Sequence, residues 1–221
     1  KSKGFYGSVP IVTGTVPLAL GAGLAAKLQN SRNIAVSYLG DGATEEGVFH
    51  ESLNFAKIFN IPVLFVVENN LFSSHMHMSL RQPSNSIIRF AKANNIKSQL
   101  IDGNDIAKVY KTSAKVIKNM RINQEPYLIE AVTYRWFGHV DWREDIDVGV
   151  TRSQEDVSNW KKRDPIKRLR EAMLTKKLWS DKEQNIQDTQ IEKIVSENWQ
   201  KALNDNYPNQ KLLEKNIYKN D

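Results

Sequence analysis

Through the first two thirds of the chain, short apolar runs alternate with stretches whose apolar positions recur every three or four residues. That alternation predicts a parallel sheet covered by helices. Residues 18–28 are rich in Ala and Leu and predict a helix, and Ile34-Ala35-Val36-Ser37-Tyr38-Leu39 predicts a short strand. Thr44 stands where it would cap a helix running to about residue 59, with Val48, Phe49, Leu53 and Ala56 along one side. Pro62 interrupts, and residues 63–67 are apolar throughout, as a strand covered on both faces requires. The pattern then predicts a helix over 86–94, a weak strand over 98–101, a helix from Asp105 to about Met120, and a last strand over 127–133. The expected fold is α/β: a doubly wound parallel sheet with a C-terminal helical tail.

From Asp141 the character changes. Trp142-Arg143-Glu144-Asp145-Ile146-Asp147 reads as a charged loop, followed by polar helices separated at Asp164-Pro165 and Ser180-Asp181. This predicts an α/β domain over 1–140 and a loop with a helical extension over 141–221. A length of 221 residues suffices for one sizeable core and such an appendage. The net charge of +6 raises the question of nucleic acid. The basic residues are dispersed, however, and the Lys161-Lys162-Arg163 and Lys167-Arg168-Arg170 groups share their stretch with Asp164 and Glu171, which reads as a solvated helix face. No nucleic-acid module is visible, and no apolar run is long enough to span a bilayer. Zero cysteines favour a cytoplasmic setting. The opening Lys1-Ser2-Lys3-Gly4 reads as mid-protein and carries no leader pattern.

In sheets of this kind ligands bind outside the carboxyl ends of the strands. Three candidate segments fall there: Gly40-Asp41-Gly42, Glu68-Asn69-Asn70 and Arg135-Trp136-Phe137-Gly138-His139. Helix-forming residues follow Gly42, so the amides of Gly42 and Ala43 are placed to meet a phosphate. A diphosphate needs a hard cation, and magnesium takes oxygen ligands. Asp41, Asn70 and the carbonyl of Phe72 supply a suitable set. Each tripeptide alone also reads as an ordinary turn; the case rests on their order around one strand–helix–strand unit.

Gly40-Asp41-Gly42, then 26 residues, then Asn69-Asn70 resembles the thiamine-diphosphate signature. Glu46-Gly47-Val48-Phe49-His50-Glu51-Ser52-Leu53-Asn54 resembles the alpha subunits of pyruvate, branched-chain 2-oxoacid and acetoin dehydrogenases. So do Asp102-Gly103-Asn104-Asp105, Thr133-Tyr134-Arg135, Gly138-His139 and Arg163-Asp164-Pro165-Ile166, in family order. The resemblance covers residues 5–210. It implies a thiamine-diphosphate-binding fold that decarboxylates a 2-oxoacid, pyruvate first, and passes the acyl group to lipoamide. The implied partners are a beta subunit and the lipoyl domain of an acyltransferase. It further implies Asp41, Asn70 and Phe72 (through its carbonyl) as magnesium ligands, Gly40, Gly42 and Ala43 at the diphosphate, Val12 beside the aminopyrimidine ring, and His139 as the catalytic-loop histidine near the diphosphate.

The sequence departs from the family pattern in four places. An upstream segment with a diphosphate-binding Tyr-Arg pair is absent; Pro10 replaces a glycine; Val140 follows His139 where mitochondrial pyruvate enzymes carry a phosphorylatable serine; and the loop over 141–150 is longer. Other functions remain open: acetoin dehydrogenase alpha subunit, transketolase-type enzyme, non-catalytic assembly module of the same fold, or basic nucleic-acid binder. Two further motifs read as structural. Gly21-Ala22-Gly23 lies inside a helical pattern, which predicts close helix packing and not a dinucleotide loop. His75-x-His77 lacks a third ligand and reads as a solvated loop. His50 reads as structural, and Trp160, Trp179 and Trp199 as anchors of the helical tail.

Overall fold

The computed structural model describes residues 4–140 and 152–210. Its elements, in chain order, are α1 (Thr15–Leu28), β1 (Ala35–Gly40), a 3-10 turn (Gly42–Glu45), α2 (Gly47–Ile58), β2 (Val63–Asn69), β3 (Phe72–Ser73) and β4 (Met76–His77). There follow a 3-10 turn (Met78–Leu80), α3 (Ile88–Ala93), β5 (Lys97–Asp102), α4 (Ile106–Asn123), β6 (Tyr127–Val132), α5 (Gln154–Lys161), α6 (Pro165–Thr175) and α7 (Asp181–Asn204). Strands β1, β2, β6 and β5 form one parallel sheet in that order, and β3 and β4 pair separately as an antiparallel hairpin.

Strand alternation divides the apolar residues between two cores, one on each face of the sheet. Val63, Phe65 and Val67 of β2 point to the face covered by α1, α2 and α3, where they meet Leu20, Phe49, Leu53 and Ile87. Leu64, Ile101 and Ile129 point to the opposite face and meet Val116 and Met120 of α4. Helices on both faces make the sheet doubly wound, as the uninterrupted apolar run over 63–67 requires. Gly23 brings α1 down onto this sheet. A Cβ there would stand 2.9 Å from methyl groups of both Ile61 and Val63, whereas one at Gly21 would meet nothing, so within the small-residue motif Gly23 serves close packing.

Two local expectations differ from the structure. The first helix starts at Thr15, earlier than residue 18. Thr44 does not cap α2; its hydroxyl donates to the Asp41 carbonyl at 2.6 Å inside the 3-10 turn, and α2 begins after Glu46. A threonine side chain three residues after a carbonyl competes for it locally, and that contact holds the turn behind Asp41.

The chain forms two compact units, 1–169 and 170–221. The sequence pattern sets a boundary at 140, but residues 152–169 belong with the first unit. Trp160 stacks on Tyr134 with ring centres 5.3 Å apart. The Asp102-Gly103-Asn104-Asp105 motif binds the Arg163-Asp164-Pro165-Ile166 motif. Asp102 pairs with Arg163 at 3.0 Å and Arg168 at 2.9 Å, while the Asn104 side chain donates to the Arg163 carbonyl at 3.1 Å. In the second unit, Ser180 caps α7 by accepting from the Glu183 amide at 3.2 Å, and its hydroxyl donates to the Glu183 carboxylate. Trp179 donates from its indole to Gln184 at 3.0 Å. The charged loop over 142–147 and the loop-length departure over 141–150 lie outside the described residues.

Burial pushes the Asp102 carboxyl up, but hydrogen bonds from Arg168, the Asn104 amide and Arg163 outweigh it and hold the group below its ordinary value. A carboxyl whose folded-state pKa is lowered stabilises the fold above the unfolded value, and the effect is lost as pH falls through the folded value. Asp102→Asn is therefore expected to lower the melting temperature at pH 7. The gap from the native chain should close below about pH 4, where an unfolded aspartate itself protonates. Melting curves at both pH values check this, and an undiminished gap at low pH would count against the ion pair.

Candidate active site

The sheet places all three candidate segments at one edge. Gly40 is in register with Glu68 of β2, and Asn69 with Val132 of β6, so the chain leaves β1, β2 and β6 at the same level. The Thr133 amide donates to the Asn69 carbonyl at 2.9 Å and extends this ladder. Residues more than 90 positions apart, after Gly40 and Val132, thus begin their loops at the same level.

Asp41 is buried where β1 ends. One carboxylate oxygen accepts from the Asn70 amide at 3.2 Å, and the other is paired with the Arg81 guanidinium. This contact joins the two ends of the Gly40-Asp41-Gly42…Asn69-Asn70 spacing. The Asn70 side-chain oxygen accepts from the Phe72 amide at 3.0 Å, and the Asn69 side-chain oxygen accepts from the Leu71 amide at 3.0 Å. These two Asx turns reverse the chain through Leu71, whose φ is +70°. The reversal starts the β3–β4 hairpin, which folds back over the first loop. A Cβ at Gly42 would stand 2.4 Å from the Ser73 hydroxyl and 2.7 Å from its Cβ. Only glycine fits there. The amides of Gly42 and Ala43 precede the first hydrogen bond of the 3-10 turn, which runs from Thr44 to the Asp41 carbonyl.

The donor set at this edge suits a hard cation: a buried carboxylate, an amide oxygen two residues before the Phe72 carbonyl, and backbone amides for an attached anion. In this conformation Arg81 holds the Asp41 oxygen that a cation would use. Arg81 also pairs with Glu45, and Gln82 donates to Glu45 at 2.6 Å, so the loop over 79–82 closes the site on one side. Among the described residues no three His, Cys, Asp or Glu side chains cluster as metal ligands.

His139 is exposed on the loop after β6. That loop is pinned by guanidinium groups. Arg135 donates to the Phe137 carbonyl at 2.9 Å, and Arg152 donates to the carbonyls of Arg135, Trp136 and Phe137. Val12 is exposed in the turn before α1 and takes no part in the Asp41–Asn70 network; its carbonyl accepts from the Thr13 hydroxyl. His50 lies on α2 with its ring edge-on to Phe90, centres 4.6 Å apart. His75 is exposed in the β3–β4 turn, as a solvated-loop residue should be, whereas His77 lies on β4 and its ring accepts from the Ser79 amide at 3.2 Å.

The sequence reading missed Glu130. Its side chain is fully buried in the middle of β6. One oxygen accepts from the Asn69 side chain at 2.7 Å; the other accepts from the amides of Ile87 and Ile88 at 2.8 and 2.9 Å. A buried carboxylate is costly unless such donors surround it. The signal was in the sequence, since a charge within Tyr127-Leu128-Ile129-Glu130-Ala131-Val132 interrupts a strand that ought to be apolar on both faces. Arg81 had no such signal.

The dehydrogenase E1 component family matches residues 1–211. The chain belongs to that family. Its relatives include the alpha subunit of acetoin:2,6-dichlorophenolindophenol oxidoreductase from Bacillus subtilis, 37% identical over 88% of this chain and 58% of that one. The 3-methyl-2-oxobutanoate dehydrogenase subunit alpha of Mycobacterium tuberculosis is 39% identical over 79% of this chain and 47% of its own length. The pyruvate dehydrogenase E1 component subunit alpha of Rickettsia typhi is 28% identical over 97% of this chain and 64% of its own. The chain thus spans about half the length of the curated relatives it matches. Membership of the E1 family bears out the resemblance drawn from the Gly-Asp-Gly and Asn-Asn spacing. No described helix of this E1 chain is long and apolar enough to cross a membrane.

Glu130→Gln should place an amide donor against either the Asn69 amide or the Ile87 and Ile88 amides, leaving donors unpaired at a cost of about 1–3 kcal/mol. Asn69→Asp combined with Glu130→Gln restores an acceptor opposite every donor. The double variant is expected to melt above either single variant. Additive losses in a denaturation cycle would refute the proposed bonding.

Proposed function

We propose that this chain is the alpha subunit of a thiamine-diphosphate- and magnesium-dependent dehydrogenase that decarboxylates a 2-oxoacid, pyruvate first, and hands the acyl group to lipoamide. The observation that carries the reading is the contact of Asp41 with Asn70, which brings both halves of the signature to one strand edge. Acetoin is the second reading, favoured by the 37% identity with the Bacillus subtilis alpha subunit. Membership of the E1 family speaks against a transketolase-type enzyme and against a nucleic-acid binder. Retention of Asp41, Asn70 and His139 together speaks against a purely structural module. The zero-cysteine composition supports a cytoplasmic setting.

The roles are those that the family resemblance implies, and placement at the strand ends supports them for Asp41, Asn70 and the backbone of Gly42 and Ala43. Asp41, the Asn70 side-chain oxygen and the Phe72 carbonyl would hold magnesium. The backbone at Gly40, Gly42 and Ala43 would face the diphosphate. Val12 is assigned to the aminopyrimidine side on the family resemblance alone. His139 would stand near the diphosphate and the incoming lipoyl group, where an imidazole can move a proton or meet an anion. Thiamine diphosphate, when bound, supplies the electron sink for loss of carbon dioxide, while the protein orients it.

The reading requires a second chain. The residues identified here all serve the diphosphate end, apart from Val12. Apolar surface is uncovered around the sheet: Val36 and Tyr38 on the face of β1 that α4 does not reach, and Leu18, Ile58 and Phe59 on the helices of the other face. Patches of this kind mark protein interfaces, and a beta subunit is the proposed occupant, in a two-plus-two assembly that also meets the lipoyl domain.

In the complete enzyme, Asp41→Ala is expected to abolish magnesium-dependent binding of thiamine diphosphate in calorimetry while circular dichroism stays unchanged. Near-native affinity would remove the metal assignment. The chain purified without partners is expected to show no 2-oxoacid decarboxylation with an artificial electron acceptor. Robust turnover by the isolated chain would overturn the two-chain reading.

A further inference from the structure

The Asp41 carboxylate has a cationic partner within the chain. Its Oδ1 accepts from the Asn70 amide at 3.2 Å, and its Oδ2 is paired with Nη2 of Arg81. The side chains of Arg81 and Asp41 are 7% and 1% exposed, so the pair forms where water cannot replace either partner. Arg81 closes the 3-10 turn that follows the β3–β4 hairpin, and its amide donates to the Met78 carbonyl at 3.1 Å. The turn is tied in turn to the chain reversal after Asn70, since the Met78 amide donates to the Leu71 carbonyl at 2.7 Å. The same reversal that brings Asn70 to Asp41 therefore delivers the guanidinium.

Two cations cannot share this carboxylate oxygen. The magnesium set proposed above needs Oδ2 of Asp41, because Oδ1 is engaged by the Asn70 amide. A divalent ion and a guanidinium on one buried oxygen would stand about 4 Å apart and repel each other with little water to screen them. The remaining contacts of Arg81 show where it can go. Its Nε donates to the Met76 carbonyl at 3.2 Å, and its Nη1 pairs with Glu45, whose side chain is 36% exposed. Glu45 is also held without Arg81: Gln82 donates to it at 2.6 Å, and Arg89 donates to the Gln82 side-chain oxygen at 3.0 Å. The guanidinium thus has one carboxylate partner inside the site and a second toward solvent. Rotation about its outer torsions can release the first while the second keeps it.

We propose that Arg81 is a stand-in cation for the metal site: it neutralises Asp41 until a divalent ion takes that oxygen, and then withdraws to Glu45. Loading is then an exchange of one cation for another, and the buried carboxylate is never left bare. Arg81 is not a ligand, yet it sets the metal affinity, because only the fraction of molecules with Asp41 released can bind. In return it stabilises the unloaded chain. This rests on the reading of the chain as a magnesium- and thiamine-diphosphate-dependent alpha subunit.

The test uses the complete enzyme with its partner chain, freed of metal by a chelator. Magnesium is titrated by calorimetry with thiamine diphosphate in excess, and melting temperatures are measured with and without magnesium. Arg81→Met keeps the apolar stem and removes the charge. Arg81→Gln keeps a donor for Asp41 and serves if the first variant fails to fold. Loss of one charge-assisted hydrogen bond from the competing state corresponds to roughly tenfold or more in affinity. We expect magnesium to bind both variants tighter by that factor. Without magnesium both should melt below the native enzyme, and the gap should narrow at saturating magnesium. Glu45→Gln removes the partner to which the guanidinium withdraws, and should weaken magnesium binding in the native background but far less in Arg81→Met. Weaker binding in the Arg81 variants would make Arg81 part of the loaded site and overturn the proposal. So would unchanged affinity with equal melting losses in both states, or an equal effect of Glu45→Gln in both backgrounds. A native enzyme that shows no magnesium-dependent binding of thiamine diphosphate would remove the underlying reading instead, and the same calorimetry reads it.

Discussion

The buried carboxylate of Glu130 is the constraint on which the site depends. A charge with no exposure in the centre of a sheet must be surrounded by donors, and here the donors come from two directions. The amides of Ile87 and Ile88 fix α3 on the sheet, and the side chain of Asn69 fixes the turn that leaves β2. Once Asn69 is held by its nitrogen, its oxygen is free to accept from Leu71, the chain reverses, and the Asn70 amide meets Asp41. One polar contact inside the core therefore sets the geometry of a loop outside it.

From that turn the hairpin follows, and with it the way the site is enclosed. Gly42 lets Ser73 approach, Arg135 holds Ser74, and Arg81 closes the other side by pairing with Asp41 and Glu45. Two guanidinium groups thus flank the site proposed for a diphosphate and its cation, one of them paired with two carboxylates. Arg81 satisfies the Asp41 carboxylate in this conformation, so a cation arriving there competes with a guanidinium for the same oxygen. Both partners of that pair are largely excluded from water, which makes the exchange one charged contact for another and not the exposure of a bare charge.

A second polar cluster binds the segment beyond the last strand to the sheet. Asp102 draws in Arg163 and Arg168, and Asn104 receives the Thr133 hydroxyl at 2.7 Å while donating to the Arg163 carbonyl. The two family motifs on either side of this cluster are thus partners in one structural joint. They explain why residues 152–169 belong with the sheet even though their composition reads as part of a polar tail.

Periodicity alone determined the α/β class, the order of α1–α4 and the four strands of the parallel sheet, and the doubly covered nature of β2, because side-chain alternation and helical repeat are local properties; it gave no sign of the β3–β4 hairpin. It also located the three strand ends, and the family motifs gave the ligand types expected there. Sequence could not show which distant residues meet. The pairing of Arg81 with Asp41, the burial of Glu130 against Asn69, the approach of His75 to His139, and the attachment of 152–169 all join residues dozens of positions apart. Thr44 shows the same limit at short range: its spacing suited a helix cap, but the tight turn behind Asp41 offered its hydroxyl a nearer carbonyl. Local pattern fixes what each segment can be; only the packed sheet decides which polar groups must satisfy one another, since that choice is made by burial.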